Sequence, residues 1–595
     1  MNTHSIALST WLYVLPIVCP MLAAAQSPVI LGQGNNSGMS VSSSGTGGGK
    51  TFDGEGFLPN EIAASRFLAQ ATLGADLETI LAVSQMSFPE WLDSQFVKPK
   101  LLDVLQYTQD LTAEAIDSTF AMGNDPNNIQ PQMWYWHSAW WQYIMTSPDV
   151  LRARVGLALS EIFVVSEVPE LGEVPLALAD YYDMLLDNSF GNFRDLLEDV
   201  TYHPAMGVYL THLNNPKSNP ALNRFPDENY AREVMQLFTI GLYQLNQDGT
   251  RQLDSLNNPI PTYQNTDIQE FAKIFTGLTW GDAFGFGQNA QSELSFIQPM
   301  KMINAWHEPG EKHLLNGLVV PNRSPVNGNA DIQDALDNLF NHPNVGPFIG
   351  RQLIQRLVTS NPSHDYIGRV AAAFNDNGQG TRGDMKAVIR AVLLDPEARD
   401  CALAYDPYRG MLREPITRWT HLSRAFNAFS QRGVYRNDMD DFYLNTFQRP
   451  LGSPSVFNFF SPDYVPIGPI DSAGLVAPEF QITNSVTIVG YANRMHRWVM
   501  EDNQVMEYRD IFSGEYNNDK YVNLNLDDEL QLDQTADVDE LLERLNLILF
   551  HGQMTWDTRD RIKEALLLVP QDDWEIRIRM AIFLSMISPD YLIFR

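Results

Sequence analysis

The stretch 227-DENYAREVMQLFTIG-241 decides the architecture. Tyr230, Val234, Leu237 and Phe238 fall at i, i+4, i+7 and i+8, which places them on one face of an α-helix. Pro226 and Asp227 stand where such a helix starts, and Gly241 stands where it stops. The first two turns also carry Glu228, Asn229, Arg232 and Glu233. Glu228 and Arg232 are spaced i, i+4, as are Asn229 and Glu233, so each pair can meet on the helix surface. Arg232 and Glu233 are adjacent, point roughly 100° apart and therefore serve different partners. A solvated face, a buried ion pair and a working site are all compatible with this pattern.

The helical period recurs on both sides of that stretch. "MWYWHSAWWQYIMTS" (133–147) is an aromatic helix, and Ser147-Pro148 caps the next one, in which Leu151, Val155, Leu159 and Ile162 form the stripe. "TDIQEFAKIFTGLTW" (266–280) opens with a capping-box pattern from Thr266 to Gln269. Between 281 and 325 the rhythm stops, and a short β-hairpin with "HEPGEK" (307–312) as its turn is expected. Helices then resume, an irregular stretch rich in Pro, Gly, Asn and Phe covers about 432–480, and the chain closes on helical segments. The expected class is mainly α: a large multi-helix globular protein with a short hairpin insertion and long irregular loops. Residues 57–595 form the folded region, and a division into two lobes would fall near 325.

Composition narrows the setting. A net charge of −32 over 595 residues argues against a nucleic acid or an anionic membrane as partner. The first 25 residues contain no Asp, Glu, Lys or Arg, and the apolar "WLYVLPIVCPMLAAAQ" (11–26) ends in a small-residue cleavage pattern. Residues 1–25 therefore read as a signal peptide cut near Ala25, although the basic start of such leaders is missing. Residues 26–56 are a Gly/Ser-rich flexible tether. Of the 2 cysteines, Cys19 lies in the leader, so Cys401 has no disulfide partner in the mature chain and no thiolate cluster can bind zinc. No later segment has about 20 uninterrupted apolar residues, so none should span a membrane. The expected location is the periplasm or the cell exterior.

Six blocks carry a family resemblance: "DENYAREVMQLFTIGLYQLNQDGT", "PIPTYQNTDIQEFAKIFTGLTW", "WHEPGEKHLLNG", "NHPNVGPFIGRQLIQRLV", "SPSVFNFFSPDYVP" and "LVAPEFQI". In this order, with the closing "SPDYLIFR", the chain resembles the bacterial family catalogued as domain of unknown function 1800, over about 57–595. The resemblance implies an exported protein whose gene often neighbours that of a sulfatase-like partner. It implies no reaction and no catalytic residue set.

Several residues are candidate sites in their own right. Glu233 and Arg232, with His203 and His307, are the candidate catalytic set: a Glu or His as general base and an Arg to hold an anionic substrate. His203-Pro204 and His342-Pro343 also fit imidazoles bonding a helix end. His307 sits in a turn beside Glu308, Glu311 and His313, a setting for a metal ligand or a base. Asn246 and Asp248, with Gly249, match part of a calcium loop, so a divalent cation such as calcium is the candidate cofactor, although Gln244 and Ser255 replace key ligands. Trp136 and Trp140 share a helix face and can stack on a glycan, or on the core. No nucleophile elbow, Walker loop or dinucleotide fingerprint occurs. Three functions are therefore expected in turn: an accessory or binding protein working with an exported sulfatase-like partner on envelope or extracellular material, a hydrolase with a Glu/Arg/His cleft that is metal-assisted or metal-free, and a self-associating surface protein.

Overall fold

The computed structural model describes residues 59–595 except 168–170, 401–402, 405, 407, 436–439, 502–503, 507–520 and 533–537, together with short strands at 29–31 and 39–41. The expected leader lies outside the described residues. So does most of the tether, but Val29–Leu31 pairs antiparallel with Met39–Val41 inside it.

Helices carry the fold, and every ladder among the described residues is antiparallel and only two or three residues long. Met133–Thr146 lies at the centre. Tyr135, Trp136, Trp140, Trp141 and Tyr143 on this helix are all buried, and a helix apolar all round belongs inside a large protein. Trp141 packs on Trp419 at 4.3 Å, and Trp419 stacks on Trp498 at 4.4 Å. One connected core runs from Ala63 to Tyr591. Helices from either side of residue 325 share it: Val345–Leu357 packs on Val150–Ser160, Gly328–Phe340 on Phe193–Tyr202, and Pro59–Ala71 on Asp539–Phe550.

Local chemistry moves some boundaries. The helix in the opening stretch spans only Asn229–Gln236. Asp227 stays outside it, where its Oδ1 accepts from the Asn229 N–H at 2.8 Å. Tyr230, Val234 and Phe238 are buried as the stripe requires. The chain then turns at Gly241 (φ +70), where a Cβ would lie 2.8 Å from the Phe348 ring, so only glycine fits. The next helix, Asn265–Ile274, is capped by a box between Gln264 and Asp267, two residues before the expected one. Val150–Ser160 takes Asp149, not Ser147, as its N-cap residue. In the insertion, "HEPGEK" leads into the hairpin and does not turn it. Lys312–His313 pairs with Val319–Val320, and the reversal falls at Leu315–Gly317, where Asn316 adopts a left-handed conformation.

Candidate functional site

Three of the resemblance blocks meet around one open cleft. Helix Asn229–Gln236 and the arm beyond it bring Gln236, Tyr243 and Arg251; helix Val345–Leu357 brings Phe348, Arg351, Gln352 and Arg356; and the irregular 453–463 segment brings Phe457, Asn458, Phe460 and Asp463. The cleft holds about 1160 Å³ of space, open mouth included. Its floor is Glu161, at the C-cap of Val150–Ser160.

The floor is charged and dry. Glu161, Glu414 and Glu479 are 4%, 1% and 2% exposed. Arg356 lies with its Nε 3.4 Å from Glu161 Oε2, but spends an Nη2–H on the Glu161 backbone carbonyl at 2.8 Å. Arg154 likewise donates to the Arg356 carbonyl. The arginines thus give their best hydrogen bonds to the backbone, and Glu161 Oε1 is buried with no donor aimed at it. The Glu414 carboxyl packs beside Glu161. Glu414 is fixed from behind, because its Oε2 accepts from Gln448 Nε2 at 2.5 Å while Gln448 Oε1 accepts from the Ile416 N–H at 3.0 Å. Burial first, and Glu414 second, push the Glu161 carboxyl well above the usual range, against the pull of Arg356 and Arg154. Glu479 is also raised, to about 8, chiefly by burial.

Two further polar atoms in the cleft lining are buried without a partner, Gln352 Nε2 and Asn458 Nδ2. Asn458 is held at φ +65, a left-handed conformation in which Asn is enriched. Buried polar groups are normally satisfied. A carboxyl and two amides left open around one cavity are what a polar ligand would complete. A protonated carboxyl there can donate to a ligand oxygen, and Arg356 can stabilise the carboxylate left behind.

The residues expected from sequence have other settings. Among the described residues no hydrogen bond or ion pair joins any two of Arg232, Glu233, His203 and His307. Arg232 is 41% exposed and meets Glu228 at 3.5 Å. Glu233 is buried, its Oε2 has no partner, and burial outweighs Arg232 to raise its carboxyl to about 7. It sits one turn before Gln236, a cleft residue, so it borders the site from within the wall. His203 accepts from the Ala205 N–H at Nδ1 (3.1 Å) and donates from Nε2 to Asp180 (3.1 Å), which caps Pro204–Tyr209. His342 does the same for Asn344. His307 is 1% exposed and belongs to a buried clasp. Its Nδ1 lies 2.9 Å from the Thr276 carbonyl and its Nε2 lies 3.1 Å from Asp331, Lys312 donates to Asp331 at 2.5 Å, and Arg323 flanks Asp331 at 3.3 Å.

In the partial calcium loop, Asp248 Oδ1 accepts from both the N–H and the hydroxyl of Thr250, and the Asn246 side-chain amide donates to the Thr250 hydroxyl, so these groups close a turn. Among the described residues no group of three or more His, Cys, Asp or Glu is arranged to hold a metal. Trp136 and Trp140 are 0% exposed, so the core role replaces the glycan role expected of them.

Glu161, Glu414, Gln352, Arg356 and Asn458 were not singled out from the sequence. A signal was present. Glu161 interrupts the apolar run "LALSEIFVV", and a charge inside a buried stripe needs a partner or a purpose.

No curated protein and no solved structure matches this chain. A family model does: the one described as Protein of unknown function (DUF1800) matches residues 66–593, and the chain belongs to that family.

Proposed function

We propose that this DUF1800 family member is an exported hydrolase that works in the Glu161 cleft. The observation that carries the reading is the open carboxyl at the cleft floor, held beside a second carboxyl and an arginine. Glu161 gives its proton to the leaving oxygen as the bond to that oxygen breaks. Water adds to the other fragment, and the proton it releases returns to the Glu161 carboxylate. Glu414 is a positioning residue whose carboxyl beside Glu161 favours the protonated form of Glu161, and Arg356 steadies the charge on Glu161 after transfer. The acidic composition and the apolar leader support a periplasmic or extracellular location. Among the described residues no helix is long and apolar enough to cross a membrane. The test is a panel of chromogenic esters and glycosides offered to wild type and to Glu161→Gln. Turnover that the substitution abolishes without lowering the thermal midpoint supports the reading. No turnover by wild type, or turnover that survives the substitution, overturns it.

A second reading, an accessory protein for a sulfatase-like exported partner, is supported by an apolar surface patch. Val486 and Val489 share a face of Ser485–His496 and are 61% and 57% exposed, and Leu444 on the helix packed against it is 66% exposed. Val486→Asp with Val489→Asp should abolish co-purification of such a partner. Co-purification that persists would remove this reading.

A further inference from the structure

We infer that the mouth of the cleft is a subsite for the carboxylate of an acidic sugar, with uronic-acid oligosaccharides as the ligand class. This rests on the cleft being the working site.

The chain carries a net charge of −32, yet the charged side chains lining this cleft are Arg251, Arg351, Arg356, Glu161 and Asp463. With the Glu161 proton in place, three cations face a single carboxylate, a local inversion that favours an anion in an otherwise repelling field. Asp463 engages Arg351 at 2.6 Å. Arg251 has no carboxylate partner among the described residues; its guanidinium lies 4.8 Å from the centre of the Tyr243 ring. A guanidinium over an aromatic face spends no N–H on a carboxylate, and its edge matches a carboxylate with two parallel hydrogen bonds.

The rest of the lining fits a sugar better than a peptide. Phe457, 55% exposed, offers a ring face at the mouth. The unpartnered amides of Gln352 and Asn458 lie deeper and can bond hydroxyls. Ring faces with planar amide and guanidinium edges suit a pyranose, whose two sides are apolar and whose rim is hydroxylated. A bound peptide would need free backbone partners, and the extended wall residues pair within their own arm, Tyr243 with Pro261 and Leu245 with Arg251.

The test is calorimetric titration of the full chain with trigalacturonate and with its fully methyl-esterified form, which has the same rings without the charge. The acid should bind at least about tenfold tighter than the ester at low salt, as expected for a charge-assisted bidentate pair. Raising the salt should erode the difference. Arg251→Gln should bring the acid-to-ester ratio to within about threefold. Equal binding of acid and ester, a preference that survives Arg251→Gln, or no binding of either trimer overturns the subsite. So does N-acetyl-trialanine competing as well as trigalacturonate, which would assign the site to peptide carboxylates. The two proposals fail separately. Glu161-dependent turnover without acid preference removes the subsite alone, and acid preference without turnover removes the hydrolase alone.

Discussion

Two of the buried ionic clusters among the described residues differ in what surrounds the acid. In the insertion, Asp331 is met by Lys312, His307 and Arg323. Burial raises the Asp331 carboxyl, but the hydrogen bonds from His307 and Lys312 outweigh it and hold it below the usual range. Under the cleft, Glu161 has a carboxyl for a neighbour, arginines that spend donors on backbone carbonyls, and an oxygen with no donor. Both clusters are buried and both contain an acid and a cation. In the first, each Asp331 oxygen lies within ion-pair reach of a cation, although Oδ1 accepts no hydrogen bond; in the second, Arg356 reaches Glu161 Oε2 at 3.4 Å while a second carboxyl stands beside the acid. That difference, more than residue type or burial, separates a structural clasp from a candidate site.

The largest effect that can break the comparison is on rate. Glu161→Gln should lower turnover of any substrate found in the panel by about 10²–10⁴-fold, the usual contribution of a positioned acid. Lys312→Met should leave the chemistry of the cleft intact but destabilise the fold by roughly 3 kcal/mol in urea unfolding, the lower end for a broken buried pair, because Asp331 loses its shortest ion pair and keeps His307 and Arg323. Glu161→Gln should cost less than about 1 kcal/mol, since a neutral amide replaces a carboxyl that burial and Glu414 already hold toward its neutral form. If the two variants exchanged these outcomes, the assignment of clasp and site would be reversed.

A pH scan sharpens the same contrast. Glu479 rises from 4.5 to about 8 in the folded chain. Below about 4.5 both folded and unfolded states hold that proton. Between about 4.5 and 8 only the folded state does, and the unfolded state gains by ionising. Stability should therefore fall as pH rises through this window and level off above it. Glu479→Gln should remove a part of the slope worth on the order of 2–4 kcal/mol, read as the difference between unfolding free energies at pH 5 and at about pH 8. Glu233, raised to about 7, slopes in the same direction over a narrower window. The smallest effect is expected at the partial calcium loop. Asp248→Ala should lose the turn bonds to Thr250, about 1 kcal/mol, and added calcium should leave the melting temperature of wild type unchanged. A calcium-dependent rise would restore the metal reading.

Much of the helical fold was legible, because burial writes a period into the sequence. The stripe of Tyr230, Val234 and Phe238 and the aromatic helix at 133–147 are both where their spacing puts them. Ends were less legible, since they depend on which side chain reaches which N–H: Asp227 bonding Asn229 shortens one helix, and Gln264 displaces Thr266 at the start of another. The reversal of the hairpin moved because Asn316 tolerates a left-handed conformation that the "HEPGEK" pattern did not advertise. The cleft was the least legible part. Its floor joins residues 161, 356, 414 and 479, distant positions that only packing brings together. Short-range clusters such as Arg232–Glu233 and His307–Glu311 stand out in a sequence because they are contiguous. Contiguity says nothing about whether their hydrogen bonds are already spent.

The most direct test of the central claim is the infrared carboxyl spectrum of wild type against Glu161→Gln at neutral pH, with no ligand present. The account predicts that the substitution removes a protonated carboxylic C=O band, because burial and the neighbouring Glu414 raise the Glu161 carboxyl well above the usual range. Loss of an ionised carboxylate band with the protonated region unchanged would contradict it, and would make Glu161 the anion of an ordinary buried ion pair with Arg356.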